Sequence, residues 1–80
     1  MRKMSITVAS DPEREDLFAE IWYGSEQWGE VIYNAASTKF DLEIFPPHSG
    51  DSYRFDLAEV QSVLTEARHR LGELGYSRDS

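Results

Sequence analysis

Eighty residues make one domain, and the absence of cysteine excludes disulfides or a thiolate metal site as a source of stability. A chain this short buries roughly 60–65% of the surface its unfolded form exposes, so it depends on one well-packed layer. Fifteen acids against eight bases give a net charge of −7, which argues against DNA, RNA and anionic lipid as partners, because phosphate binding rests on Lys and Arg.

The acidity is uneven. Residues 11–59 hold twelve of the acids and three of the bases, whereas residues 60–80 hold three of each. A basic protein partner is compatible with this distribution, and so is plain solubility. Met1 to Met4 looks like a basic leader start, but Ser5 to Ser10 alternate instead of forming the apolar run of about 7–15 residues that a signal peptide needs. No stretch approaches the roughly 20 apolar residues that span a membrane, and cysteine-free composition suits a reducing cytoplasm, so a cytoplasmic protein is expected.

Along the chain, Ile6 and Val8 alternate with Ser5, Thr7 and Ala9, which predicts a first strand. Asp11-Pro12 and the charges to Asp16 predict a turn. Leu17, Ala19, Ile21 and Tyr23 alternate with Phe18, Glu20 and Trp22 in a second strand, and Gly24 to Gln27 forms a hairpin loop. Trp28 to Asn34 returns as a third strand, followed by a turn of small residues from Ala35 to Thr38. Phe40, Leu42 and Ile44 alternate with Lys39, Asp41 and Glu43 in a fourth. Pro46 to Asp51 must be loop, since prolines cannot sit in a paired strand. Tyr53 to Phe55 reads as a brief fifth strand.

Asp56 then sits three residues before Glu59, the spacing of a helix-capping box, with Phe55 and Val60 placed as a hydrophobic staple. Leu57, Val60, Leu64, Ala67, Leu71 and Leu74 recur at spacings of three and four, with Val63 beside them, which predicts one apolar stripe. Glu66 and Arg70 form an i,i+4 pair, and Gly72 or Gly75 is expected to end the helix. The fold class is therefore α+β: an antiparallel β-meander of four to five strands with one C-terminal α-helix packed on one face. The ordered core is expected over about residues 5–74, with mobile ends.

Alternation assigns Ile6, Val8, Leu17, Ala19, Ile21, Phe40, Leu42 and Ile44 to the helix side. The third strand has two registers open to it. One sets Trp22 opposite Glu30 with Val31 toward the helix, and the other sets Tyr23 opposite Trp28 with Ile32 toward it. The first is favoured, because it keeps the Glu30 carboxylate out of the core. The opposite face then presents Phe18 and Trp22 among Glu20, Glu30, Asp41 and Glu43. Aromatic anchors ringed by charge mark protein contacts, although rings on a solvated sheet also simply pack across strands.

Catalytic chemistry finds little support. His48 and His69 lack the spacing of a metal pair, and the alternating carboxylates have no cleft in a chain of 80 residues to serve as an acid–base dyad. Gly24 and Gly29 flank a hairpin and do not form a phosphate loop. No enzyme, cofactor or metal is expected.

The order Asp16-Leu-Phe-Ala-Glu-Ile-Trp-Tyr, a hairpin, Trp28-Gly-Glu-Val, then Phe40-Asp-Leu-Glu-Ile-Phe-Pro and Phe55-Asp-Leu-Ala-Glu-Val resembles small bacterial proteins of a β-meander-plus-helix type, some similar to predicted immunity proteins of toxin systems. The resemblance covers the layout of residues 5–74 and carries over no functional residue. It implies an acidic inhibitor of a basic partner protein. The alternative expectation is a structural or regulatory homodimer, built by facing sheets or by pairing of edge strands.

Overall fold

A computed structural model of the chain describes residues 3–9, 17–34 and 37–79, with side chains as far as Glu73. Strands β1 (Met4–Ala9), β2 (Leu17–Tyr23), β3 (Glu26–Asn34) and β4 (Lys39–Ile44) lie in one antiparallel sheet in sequence order, and helix α1 (Leu57–Asp79) packs on one face. The α+β meander is the architecture of the chain. The expected turn at Asp11–Asp16, Ala35 with Ala36, and the side chain of Leu74 fall outside the described residues.

The hairpin between β2 and β3 is tighter than expected. Tyr23 pairs with Glu26, so Gly24 and Ser25 alone make the loop, and β3 starts two residues before Trp28. Gly24 has φ 64°, the positive value that a II′ hairpin asks of glycine at its first loop position. Further along, Ile21 pairs with Gly29 whereas Trp22 pairs with Gln27, which leaves Trp28 as one extra residue in a β-bulge. Neither register read from alternation has this bulge. Its outcome is mixed: Val31 does lie on the helix side, opposite Ala19, but Glu30 stands opposite Glu20 and not Trp22.

The bulge turns Trp28 inward. Its ring lies in the core, 5.1 Å from that of Phe55, and its buried indole N–H finds no acceptor among the described residues. Gly29 beside it permits β3 and β4 to sit close, since a Cβ there would meet the Glu43 carbonyl oxygen at 3.1 Å.

Between sheet and helix, Ala19, Ile21, Val31 and Tyr33 pack against Val63, Ala67 and Leu71, with Ile6, Val8, Val60 and Leu64 at the margins. The helical contact line is therefore Val63–Ala67–Leu71, each four residues apart on one face. The spacing of three and four places Leu57 in the stripe, yet it is 68% exposed. At 100° per residue it lies about a quarter turn from that line.

The helix begins as its sequence dictates. The Glu59 N–H donates to Asp56 Oδ2 at 3.1 Å, and the Val60 N–H donates to the Asp56 carbonyl at 3.1 Å. Arg70 Nε donates to Glu66 Oε2 at 3.1 Å on the exposed side. The end differs: α1 runs through Gly72 and Gly75 to Asp79. Glycine stops a helix by adopting a left-handed conformation, and neither glycine does so here. Likewise Tyr53 to Phe55 is not a fifth strand. Rings hold this segment instead of backbone pairing: Phe55 lies 5.0 Å from Tyr23, and Tyr53 stacks on Phe55 at 5.1 Å.

Candidate protein-binding face

Pairing fixes the side chains on the helix-free face in rows. One row runs Ser5, Trp22, Gln27. The next runs Thr7, Glu20, Glu30, Glu43, and the third runs Ala9, Phe18, Ile32, Asp41. The six residues singled out from the sequence thus share one face, as alternation requires. Glu20, Glu30 and Glu43 stand directly opposite one another on three successive strands. Like charges in direct cross-strand pairs oppose folding, by an amount on the order of a few tenths of a kcal/mol per pair.

The face is not uniformly open, and this corrects the expectation of exposed rings. Phe18 and Glu30 are each only 7% exposed. Phe18 packs in its row between Ala9 and Ile32, and Glu30 lies between Glu20 and Glu43. Trp22 and Glu20 are half-buried, and Trp22 Nε1 donates to Glu20 Oε1 in a long contact of 3.4 Å. Asp41 and Glu43, on the edge strand, are exposed. Phe18 is therefore a packed residue and not an anchor offered to a partner, whereas Trp22, Glu20, Asp41 and Glu43 remain reachable.

A second exposed surface lies on the helix side of β4. Leu42 and Ile44 point to the helix side, opposite Val31 and Gly29, yet they are 44% and 63% exposed. The helix packs on β1, β2 and β3 and leaves β4 largely bare. A shallow groove of about 170 Å³, almost wholly apolar, opens there between Val31, Phe40, Leu42 and Leu64, with Asp41 and Arg68 at its rim. The Arg68 guanidinium lies over the Phe40 ring, 5.4 Å from its centre. Alternation in β4 announced which side its apolar residues take, but no local signal says how far across the sheet a helix will reach.

His48 lies exposed in the Pro46–Asp51 loop, and His69 pairs with Glu73 on the solvent side of α1. Among the described residues, no group of three or more His, Cys, Asp or Glu could hold a metal ion, and no helix is long and apolar enough to cross a membrane. Comparison with family models, with curated proteins and with solved structures finds no match to this chain.

Proposed function

We propose that the chain is a non-enzymatic, acidic protein-binding module, of the inhibitor kind that immunity proteins represent, whose helix-free face meets a basic surface of a partner protein. The observation that carries this reading is the set of reachable acids on that face, Glu20, Asp41 and Glu43, with Trp22 beside Glu20. Lysine or arginine from a partner would pair with these carboxylates, and the half-buried Trp22 ring offers a flat apolar contact beside them.

The test is capture of partners from the native cell with the parent chain and with Glu20→Lys/Trp22→Ala. The parent is expected to retain a basic protein that salt releases, because exposed charge pairs are screened within about 10 Å at 0.1 M. The variant is expected to lose it. Identical captured proteins from both chains would remove this face from consideration.

A further inference from the structure

We infer that β4 is an acceptor edge for an extended segment of a partner, one that alternates apolar with basic residues and adds to the sheet as a fifth strand. The inference rests on the reading of the chain as a binder of basic proteins and names how such a partner would dock.

Three observations meet at this edge. The first is the backbone. Among the described residues β4 pairs only with β3, and the Phe45 N–H donates to the Trp28 carbonyl at 2.8 Å. Phe45 and Trp28 continue the register in which Glu43 faces Glu30, Asp41 faces Ile32 and Lys39 faces Asn34. Hydrogen-bonded pairs alternate with non-bonded ones in an antiparallel ladder. Glu43, Asp41 and Lys39 therefore direct their main-chain groups at β3, while those of Leu42 and Ile44 point away from it. Pro46 and Pro47 close that edge, since proline cannot continue a ladder.

The second is the groove. Residues of an added strand that stand opposite Phe40, Leu42 and Ile44 would project to the helix side. There they meet the apolar floor formed with Val31 and Leu64. The third is charge. The intervening residues of the added strand would project to the other face, beside the exposed carboxylates of Asp41 and Glu43, with the exposed Lys39 at the start of the strand, so that the basic residues belong opposite the two acids. One strand cannot satisfy both sides unless it alternates apolar and basic residues, the mode known as strand addition.

Charge also bears on the occupant. A second copy would bring another net −7 to the same edge. Pairing centred on Leu42 would set Asp41 opposite the partner's Glu43, and pairing centred on Asp41 would set two aspartates face to face with Lys39 opposite Glu43 on either side. The net acidity of the chain favours a basic strand over a second copy.

A synthetic seven-residue peptide alternating lysine and valine tests the assignment, with glutamate in place of lysine as its control. Amide hydrogen exchange of the full chain reads the result. The lysine peptide is expected to slow exchange at Leu42 and Ile44 and to leave Asp41 and Glu43 unchanged, and the glutamate peptide is expected not to slow it. Asp41→Lys/Glu43→Lys, with a melting curve like the parent's, should bind the lysine peptide about tenfold more weakly, as loss of two exposed charge contacts implies. Binding that perturbs Glu20 and Trp22 without slowing the edge amides would overturn the edge and leave the face reading intact. No binding at low salt would also overturn it, and the Glu20→Lys/Trp22→Ala capture then judges the broader reading on its own. Edge amides already slow without peptide, in a species sedimenting at twice 9.2 kDa, would assign the edge to a second copy and overturn the inference.

Discussion

The two sides of the sheet's helix-facing surface carry the same alternating chemistry and meet opposite fates. On β2, Ile21 is fully buried beneath α1; on β4, Ile44 is 63% exposed, although both point the same way and both pair with Gly29. The difference is one of width. Strands sit about 4.8 Å apart, so four span roughly 14 Å between outer axes. A single helix is about 10–12 Å across with its side chains. The connection from Phe45 to Asp56 carries the chain back over β1, β2 and β3, and the last strand is left over. Alternation records which face a residue takes, while coverage depends on where the neighbouring layer lands.

Substitutions can break or sharpen this contrast. The largest effect is expected for Ile21→Ala, which opens a cavity in a packed layer and should cost about 2–5 kcal/mol, read as the shift of a denaturant unfolding curve. A cost below that range would mean that the helix does not press on β2. Asp56→Ala should come next, at about 1 kcal/mol, through loss of the bond to the Glu59 N–H; thermal melting with unchanged strand signal would show it. The smallest effect belongs to Ile44→Ala, within about 0.5 kcal/mol of the parent, since little apolar area is lost from water-free surroundings. Were it to cost as much as Ile21→Ala, the edge would be covered in solution and the contrast would fail.

Much of the fold was legible because its signals are local. Asp56 and Glu59 announced the helix start, and the two-residue period of Phe40, Leu42 and Ile44 against Lys39, Asp41 and Glu43 announced a strand and its faces. What stayed hidden was non-local. The extra residue at Trp28 cannot be seen in the period of β3, because a bulge is a relation between two strands. Gly72 and Gly75 look like stops, yet a helix continues through glycine when nothing diverts the backbone. For the candidate face, the shared side of Phe18, Glu20, Trp22, Glu30, Asp41 and Glu43 was legible, whereas the burial of Phe18 and Glu30 was not. Glu20 and Trp22 share strand and face with Phe18 and are only half-buried, so burial here depends on how neighbouring side chains fill the space, which alternation alone does not give.

The bulge also has an optical consequence. It sends one indole, Trp28, into water-poor surroundings among aromatic rings, and leaves the other, Trp22, half-wetted beside a carboxylate on the opposite side of the sheet. The molecule thus carries two native fluorophores whose emission colours differ and whose reports are separable. One follows the integrity of the packed layer, and the other follows whatever settles on the acidic side, without any dye attached.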